Sequence, residues 1–233
     1  MPEISVIIPA LNEERYIGYP LEGLKRQSFR NFETIVVDGG SEDGTVRIAR
    51  RSARVISGMR KGVGAARNAG AKAAKGRILL FLDADTKPSP GLLRAYHAIF
   101  SNSEAVAATG PIFPLEKARR GIRWGYSFVS TLFVRSSIIM GIPTIVGSNF
   151  AVRSSVFKKS GRFNENFITY EDWDLSGRLK RYGKIVYSDD AKVYTSVRRV
   201  MVWGVFGYFM FYLTNIIMYY TLRRTLKRYR PIR

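Results

Sequence analysis

Short apolar runs alternate with helix-like stretches through the first hundred residues of the chain. The largely apolar runs occupy residues 4–8, 33–37, 54–57 and 77–82, and each one stops at a proline, glycine or aspartate. Segments of helical character, at 13–27, 45–51 and 64–76, separate them. This alternation predicts an α/β fold: a doubly wound, mostly parallel sheet flanked by helices, with its functional site at the carboxyl ends of the strands.

The second hundred residues show a less regular pattern. We expect a strand at 105–113, a long and partly apolar helix at 117–140, and a return to the core at 147–157. Residues 171–183 have a helical pattern that ends at a glycine, and 184–194 predict one late strand or a pair of strands. The chain has 233 residues, which is long enough for one well-packed α/β domain.

The last part of the sequence has the composition of a membrane-associating segment. Residues 200–222 contain no charged side chain, and six basic residues follow: Arg223, Arg224, Lys227, Arg228, Arg230 and Arg233. The run is long enough to span a bilayer, but its tyrosines, Thr214 and Asn215 suit the membrane interface better. We expect residues 200–233 to lie on the membrane as a helix or broken helix. A single-pass span, or packing against the domain or a partner chain, are the alternatives.

Charge and cysteine content narrow the class of protein. Lysine and arginine number 38 against 18 acidic residues, a net charge of +20, which favours phosphate-bearing partners such as nucleotides or an anionic membrane surface. We find no nucleic-acid-binding signature and expect no nucleic acid partner. With no cysteine, disulfides, thiolate zinc sites and cysteine nucleophiles are excluded. The acidic start lacks the features of a signal peptide, so a cytosolic catalytic domain is expected. The oligomeric state is not indicated, and His97 is expected to be structural.

Acidic and amide side chains follow three of the predicted strands. Asp83 and Asp85 come directly after a buried run, and such a pair is typical of a site that holds a hard divalent cation against phosphate oxygens, although aspartate is also common in turns. Asp38 ends another strand before a glycine-rich turn and can accept a hydrogen bond from a base or ribose. Asn12 and Glu13 follow Pro9 after the first strand. Together these ends predict a nucleotide and metal site.

Five motifs, in this order and at these spacings, resemble the family-2 glycosyltransferases of the GT-A fold. They are SVIIPALNEERYI, IVVDGGSEDGT, GAARNAG, FLDADT and YEDWDLSGRL, and the resemblance covers residues 3–200. It implies a nucleotide-sugar donor, Mn²⁺ or Mg²⁺, and inversion at the anomeric carbon. It also implies a glycosyltransferase domain at 1–199, with a nucleotide-sugar-binding half at 1–100 and an acceptor-binding half at 101–199.

The resemblance assigns roles on the donor side of the site. Asp38 matches the acid that binds the base, Asp83 the acid near the ribose and metal, and Asp85 the direct metal ligand. The other matched positions fall into three groups: the first nucleotide-contacting segment at Pro9, Asn12 and Glu13; the helix near the donor at Arg67 and Asn68; and cations near the diphosphate at Arg198 and Arg199.

On the acceptor side, Asp172 matches the catalytic base. Glu171 and Asp174 are its neighbours and are candidates for shaping the acceptor site. A carboxylate base would take the proton of an attacking acceptor hydroxyl, while the metal stabilises charge on the departing diphosphate. The segment GVGAAR at 62–67 mimics part of a dinucleotide fingerprint, but Arg67 replaces its last glycine, so a dehydrogenase is not indicated.

We therefore expect transfer from a nucleotide sugar to a hydroxyl acceptor, a glycan or a lipid-linked molecule. The reaction is expected at the cytoplasmic face of the membrane, with the protein peripheral or monotopic. Asp38 suits uracil through its ring N–H, which favours UDP-sugar over GDP-sugar. Three alternatives remain: a polyprenyl-phosphate glycosyltransferase, a nucleotidyltransferase, and a non-catalytic nucleotide-binding scaffold. The nucleotidyltransferase lacks a glycine-rich, lysine-bearing loop here, and the scaffold does not explain why all the acids are present.

Overall fold

A computed structural model describes residues 1–58, 61–116, 120–141, 144–167 and 169–222. The strands are Ile4–Ala10 (β1), Phe32–Asp38 (β2), Arg54–Ile56 (β3), Ile78–Leu82 (β4), Thr86–Pro88 (β5), Ala107–Thr109 (β6), Ile112–Pro114 (β7), Asn149–Arg153 (β8), Ile185–Tyr187 (β9) and Val193–Thr195 (β10). The α-helices are Gly18–Lys25 (α1), Thr45–Ala49 (α2), Val63–Ala73 (α3), Leu92–Asn102 (α4), Arg120–Ile139 (α5), Ser154–Lys159 (α6), Glu171–Leu179 (α7) and Arg198–Leu222 (α8). A short 3₁₀ turn, Lys180–Tyr182, follows α7.

The described strands form two sheets. The larger one has seven strands in the order β3-β2-β1-β4-β8-β6-β9, and a smaller one has the order β5-β10-β7. In the larger sheet β3, β2, β1 and β4 run parallel, β8 is antiparallel to both β4 and β6, and β9 is parallel to β6. The predicted α/β fold with a mostly parallel sheet flanked by helices is therefore confirmed.

The strand β4 shows why the sheet is apolar on both faces. Its alternate side chains enter two different cores: Ile78, Leu80 and Leu82 pack on the face covered by α1 and α4, and Leu79 and Phe81 on the face covered by α3 and α7. A strand buried on both sides needs a continuous apolar run, since successive side chains point to opposite faces. The run must stop where the strand leaves the core, at the edge of the sheet.

The predicted helix at 13–27 is too long. The chain first makes a turn in which the carbonyl of Glu13 accepts hydrogen bonds from the amides of Tyr16 and Ile17, and α1 begins only at Gly18. Asn12, before this turn, has a φ of 52°, in the left-handed region, which a regular helix cannot contain. The helix ends at Lys25, two residues before the predicted end.

The predicted strand at 105–113 is two strands that lie in different sheets. β6 pairs with β8 and β9, whereas β7 pairs with β10. The break falls at Gly110 and Pro111, and the proline has no amide hydrogen to donate to a continuous ladder. The segment at 184–194, predicted to form one strand or a pair, forms the pair β9 and β10. The long helix is α5, beginning at Arg120; residues 117–119 of the predicted helix lie outside the described residues.

The helix α8 packs against the domain along one side. Thr169 Oγ1 donates to Asn215 Oδ1 at 3.0 Å, and the hydroxyl of Tyr170 donates to the carbonyl of Tyr212 at 2.7 Å. Gly204 interrupts the helix with a φ of 70° and a ψ of 165°, so α8 is a broken helix, one of the two forms that the sequence allowed. In the described part of the chain, no helix combines the length and apolarity needed to cross a membrane. The basic residues at 223–233 lie outside the described residues.

Candidate functional site

The loops after β1 and β2 are fastened to each other at the carboxyl edge of the sheet. Asn12 donates its amide hydrogen to Ser41 Oγ at 2.8 Å, and its side-chain oxygen accepts from the amide of Glu42, also at 2.8 Å. The amide of Glu13 donates to Thr45 Oγ1 at 2.8 Å. These bonds explain the unusual backbone of Asn12, whose side chain and amide fix the position of the neighbouring loop.

Asp38, the predicted base-binding acid, is buried at the end of β2 and organises its own turn. Its carboxylate accepts hydrogen bonds from the amides of Gly40, at 3.0 Å, and Ser41, at 3.1 Å. Pro9 lies beside it, paired in register with Val37. A carboxylate has about four acceptor positions, so Asp38 keeps capacity for a further donor. Its contact with a base, and those of Pro9 and Asn12 with a nucleotide, stay predictions.

Asp83 and Asp85 emerge just beyond the end of β4 and face different cations. Oδ1 of Asp83 lies 2.8 Å from Nη2 of Arg67, and Oδ2 of Asp85 lies 3.2 Å from Nη2 of Arg198. Thr195 Oγ1 donates to Asp85 Oδ1 at 3.3 Å. The pKa of the Asp85 carboxyl is raised to about 6, because burial and the negative charge of Asp83 together outweigh the positive charge of Arg198.

Arg67 connects the acids after β4 to the acids of α7. Its guanidinium is almost fully buried, with Nη2 on Asp83 and Nη1 2.5 Å from Oε1 of Glu171. Burial lowers the pKa of Arg67, but the carboxylates of Asp83, Glu171 and Asp172 outweigh that effect and raise it above its ordinary value. The guanidinium also lies 5.4 Å from the ring centre of Phe163. One buried cation therefore fixes the distance between two acidic motifs.

The start of α7 carries the second acidic motif, which Arg67 joins to Asp83; we call the region between the two motifs the cleft. The pKa of the Glu171 carboxyl is raised to about 7, because burial and the negative charge of Asp172 together outweigh the positive charge of Arg67. Burial likewise raises the pKa of Asp172, which accepts hydrogen bonds from the amides of Gly147 and Trp173, both at 2.8 Å. These two bonds fix the orientation of the Asp172 carboxylate.

Gly147 is held closely between Asp172 and Arg67. A Cβ at this position would lie 2.5 Å from Nη2 of Arg67, a separation that real side chains do not tolerate. The residue must therefore be a glycine for its amide to reach Asp172 while the guanidinium remains in place. The sequence did not identify Gly147 as a functional position, because its partners come from α3 and α7.

Arg198 and Arg199, the predicted diphosphate cations, begin α8. Arg198 forms a two-pronged ion pair with Glu13, with N···O distances of 2.8 and 2.6 Å, and lies 4.5 Å from the ring centre of Tyr16. Arg199 lies close enough to Asp85 for its charge to lower the pKa of that carboxyl, although less than Arg198 does. Glu13 therefore binds an arginine in this structure, and its predicted contact with a nucleotide is untested.

Asn68 and Asp174 are directed away from the acids. The Asn68 amide donates to the carbonyl of Phe163 and to Oε1 of Glu165, both at 2.9 Å, and its oxygen accepts from the Phe163 amide. Asp174 pairs with Arg178 along α7. Asn68 therefore anchors the loop before α7 to α3, and its predicted role near the donor stays a prediction.

Two aromatic residues near the acids were also not predicted. Tyr16 lies under the guanidinium of Arg198. Burial raises the pKa of Tyr126 in α5, and the negative charge of Asp85 contributes to that rise, which places the phenol near this carboxylate. Tyr16 lies within the first of the five motifs, so the sequence offered a signal for it. Tyr126 gave none, because its approach to Asp85 depends on how α5 packs.

The acids after β4 have the chemistry that a divalent cation requires. Within the described ranges, no group of three or more His, Asp or Glu side chains surrounds a common metal position. Mg²⁺ and Mn²⁺ at nucleotide sites are typically bound by one or two carboxylates, with phosphate oxygens and water completing the shell. Asp83 and Asp85 supply two carboxylates, and the repulsion between them, which contributes to the raised pKa of Asp85, would be relieved by a cation. The residues therefore fit the predicted metal.

Several curated proteins are similar to this chain in sequence. The family model for Glycosyl transferase family 2 matches residues 5–161. A PGL/p-HBAD biosynthesis glycosyltransferase of Mycobacterium bovis is 30% identical over 188 residues, which cover 76% of this chain and 69% of that protein. The alignments with the first curated relatives cover only 26% to 37% of the lengths of those proteins.

Solved structures share the fold at low sequence identity. TarS 1-349 of S. aureus, in complex with UDP-GlcNAc, has a TM-score of 0.65 and 23% identity, covering 84% of this chain and 58% of that one. The mannosyltransferase PcManGT from Pyrobaculum calidifontis, in complex with GDP-Man and Mn²⁺, has a TM-score of 0.68 and 20% identity, covering 91% of this chain and 64% of that one. These likenesses confirm the predicted GT-A fold. Since the family model matches well over half of the sequence, the chain belongs to glycosyl transferase family 2.

Proposed function

We propose that the protein transfers a sugar from a nucleotide-sugar donor to an acceptor hydroxyl, with inversion and with the help of Mn²⁺ or Mg²⁺. The observation that supports this best is the position of Arg67, which binds Asp83 on one side and Glu171 on the other. Glu171 is the neighbour of Asp172, so an acid pair suited to a metal and a candidate base face one cleft. We call the side with Asp83 and Asp85 the donor side, and the side with Glu171 and Asp172 the acceptor side.

On the donor side, the residues are suited to binding and orienting a diphosphate. Asp85 and Asp83 would hold the cation, which when bound stabilises the negative charge that develops on the departing diphosphate. Arg198 and Arg199 add positive charge next to Asp85, where phosphate oxygens would come to lie. Arg67 fixes the Asp83 carboxylate in position, since its Nη2 lies 2.8 Å from Oδ1.

On the acceptor side, Asp172 is the general base. The acceptor oxygen attacks the anomeric carbon from the face opposite the diphosphate, the bond from that carbon to the diphosphate oxygen breaks, and the hydroxyl proton moves to Asp172. The amides of Gly147 and Trp173 hold the carboxylate in a single orientation for this transfer. The raised pKa of Asp172 makes it a stronger base than an exposed aspartate. The rate should therefore decline, as pH falls, at a higher pH than the pKa of an ordinary aspartate.

A hydroxyl acceptor, a glycan or a lipid-linked molecule, is favoured over polyprenyl phosphate. The phosphate of a polyprenyl acceptor is already ionised and needs no carboxylate to remove a proton. Asp172 is half-buried, is oriented by two amides and has a raised pKa, which are the features of a base that acts on a neutral group. If Asp172→Asn retains full transfer, the phosphate acceptor becomes the better proposal.

The donor is proposed to be a UDP-sugar. Of the two structural neighbours, TarS was solved with UDP-GlcNAc and PcManGT with GDP-Man, so the fold accepts either base. Asp38 can accept a hydrogen bond from the ring N–H of uracil or guanine. Calorimetric titration of UDP and GDP, each with and without Mn²⁺, tests this choice. Manganese-dependent binding of UDP alone supports it, and binding of neither nucleotide by the folded protein contradicts the proposed function.

We further propose that the protein works at the cytoplasmic face of the cell membrane, bound peripherally. Exposed large apolar side chains are concentrated in two places, in or just after α5 and in α8: Leu132, Phe133, Ile139, Met140, Met201, Val202, Phe206 and Ile217. Such a surface on a chain of net charge +20 suits an anionic bilayer. Sedimentation with phosphatidylglycerol vesicles should bring the protein down, and phosphatidylcholine vesicles should do so much less.

A paired substitution makes the vesicle test specific. Phe206→Glu places a charge in the exposed apolar surface of α8 and should reduce binding to the anionic vesicles. Tyr182→Glu changes an exposed aromatic residue elsewhere on the molecule and should leave binding unchanged. Equal losses in both variants, or none in either, would contradict the assignment of α8 to the membrane contact.

A further inference from the structure

Arg198 lies between two carboxylates at the donor side of the cleft. Its Nη1 and Nη2 atoms lie 2.8 and 2.6 Å from the two oxygens of Glu13, and Nη2 also lies 3.2 Å from Oδ2 of Asp85. The side chains of Arg198, Glu13 and Asp85 are only 11%, 14% and 15% exposed. Solvent therefore screens these charges weakly, and the contacts are stronger than those of a surface ion pair.

The two contacts of Arg198 are unequal. Glu13 meets the guanidinium with both oxygens at short distances, which is the strongest geometry for this pair. Asp85 meets it with one oxygen at a longer distance. In the part of the chain that the structure describes, Nε of Arg198 is buried and has no hydrogen-bond acceptor. An arginine has five N–H donors, so Arg198 has an unused donor beside the acid that is expected to bind the metal.

We propose that Arg198 competes with the divalent cation for Asp85 and transfers its free donors to the donor diphosphate when both ligands bind. This inference rests on the proposed function. A guanidinium and a metal ion cannot both contact Oδ2 of Asp85 without strong repulsion between the two cations. Arg198 must therefore leave Oδ2 before that oxygen can accept a metal. Diphosphate oxygens then provide the acceptors that suit a guanidinium fork.

Glu13 is the positioning residue in this arrangement. Its backbone amide is fixed to Thr45 Oγ1, at the start of α2, so its carboxylate is anchored to the domain independently of Arg198. Because the pair with Glu13 is the tighter of the two, Arg198 can release Asp85 and stay bound to Glu13. The guanidinium then moves only from a carboxylate oxygen to a neighbouring phosphate oxygen. Glu13 is thus assigned to holding Arg198, in place of a direct contact with the nucleotide.

The exchange predicts opposite effects on two ligands. Removing the guanidinium removes the competitor at Asp85, so the affinity for Mn²⁺ alone should rise, by roughly tenfold for a coupling of ordinary size. The same change removes a partner of the diphosphate, so the affinity for UDP should fall, also by roughly tenfold. A merely structural role for Arg198 would weaken the binding of both ligands, because the whole site would loosen.

The test measures the two affinities separately. Mn²⁺ binding is followed by the electron paramagnetic resonance signal of the free ion, and UDP binding by calorimetry at saturating Mn²⁺. The wild-type protein is compared with Arg198→Ala and with Arg198→Gln, which keeps most of the side-chain length and supplies a second neutral variant. Circular dichroism establishes that each protein is folded.

Two controls define the site. Arg77→Ala also removes one positive charge, from a pair with Glu3 at the other end of β4, where the arginine side chain is 82% exposed. It should leave both affinities unchanged, which separates a local effect from a change in net charge. Asp85→Asn should abolish the Mn²⁺ binding that Arg198→Ala strengthens. In addition, Arg198→Lys keeps the charge and should recover part of the lost UDP affinity.

The outcomes distinguish a failure of this inference from a failure of the proposed function. Tighter binding of Mn²⁺ together with weaker binding of UDP in a folded Arg198 variant supports the competition between Arg198 and the metal for Asp85. Unchanged or weaker Mn²⁺ binding in Arg198→Ala or Arg198→Gln, while the wild-type protein binds UDP in the presence of Mn²⁺, overturns the competition and leaves the proposed function in place. If the folded wild-type protein binds neither UDP nor GDP, the proposed function fails instead.

Discussion

On the donor side of the cleft, the loops after β1 and β2 are tied by hydrogen bonds between segments about thirty residues apart, whereas the acceptor side depends on ion pairs between distant segments. The bonds of Asn12 to Ser41 and Glu42 join positions 29 and 30 residues apart. On the acceptor side, Arg67 pairs with Glu171 across 104 residues. The donor loops are therefore products of two adjacent βα units, and the acceptor side requires the whole domain.

This difference has a consequence for the chemistry. The donor loops are held together by bonds between backbone amides of one segment and side chains of the other, so a single change there should disturb these two loops and the ligand contacts that they carry. On the acceptor side, Arg67, Gly147 and the start of α7 share one set of contacts. A change in any of them should alter the position of Asp172 and therefore the turnover rate. The affinity for the nucleotide should change less.

Asp172→Asn should have the largest effect on activity. The amide keeps the size of the carboxylate but cannot take a proton, so the turnover rate should fall by about 10²- to 10⁴-fold, the usual contribution of a general base. The affinity for UDP in the presence of Mn²⁺ should change less than about threefold, since Asp172 lies on the acceptor side. Steady-state rates and calorimetry on the same preparation measure both quantities. A parallel loss of UDP binding would place Asp172 in the donor site.

The sequence was sufficient for much of the donor side because its signals are local. A strand such as β4 is recognisable from its continuous apolar run, and an acid at its end can only face the sheet edge or solvent, so Asp83 and Asp85 were predicted correctly to lie at that edge. The predicted start of the first helix, at residue 13, was wrong. The chain turns there with a left-handed backbone at Asn12, and this conformation depends on hydrogen bonds with the next loop.

The acceptor side could not be predicted to the same depth. Asp172 and Glu171 came from a motif, but the residues that orient them did not. Gly147 lies in a loop without periodicity, and its importance appears only when the guanidinium of Arg67 is placed against it. On the donor side, the ion pair of Arg198 with Glu13 has no local signal either. Long-range ion pairs leave no trace in hydrophobic spacing, so sequence reasoning assigned both residues directly to the ligand.

Arg67→Met should have the largest effect on stability and would separate the two sides of the cleft. It removes a buried cation and leaves Asp83 and Glu171 without their partner, which should cost about 3–5 kcal/mol of the free energy of unfolding. Arg47→Ala breaks an exposed pair with Glu14 and should cost no more than about 1 kcal/mol. Urea denaturation measures both. Equal costs would mean that Arg67 does not hold the two acidic motifs together.

Gly147→Ala should have an intermediate effect that is concentrated on the acceptor side. The added methyl group meets Nη2 of Arg67 at 2.5 Å, and this overpacking should cost about 1–3 kcal/mol and displace the amide that orients Asp172. Gly177→Ala is the matched change within α7, where a new Cβ meets nothing within 4 Å, and it should stabilise the protein by about 0.4–1 kcal/mol. Thermal unfolding measures the stability of both variants, and sugar-transfer assays measure their activity. Full activity in Gly147→Ala would show that its amide does not orient the base.

Asn68→Ala should have the smallest effect on activity of these substitutions, and it decides on which side of the cleft Asn68 acts. Its side chain is bonded to both the amide and the carbonyl of Phe163, so its loss should destabilise the protein by about 1–3 kcal/mol. Because these bonds anchor the loop before α7, UDP affinity should stay within about twofold of the wild-type value while turnover declines. Asn102→Ala, at an exposed position, should change neither quantity. If UDP binding instead weakens at temperatures where Asn68→Ala is fully folded, the direct nucleotide contact that the sequence predicted is correct, and the donor side extends to α3.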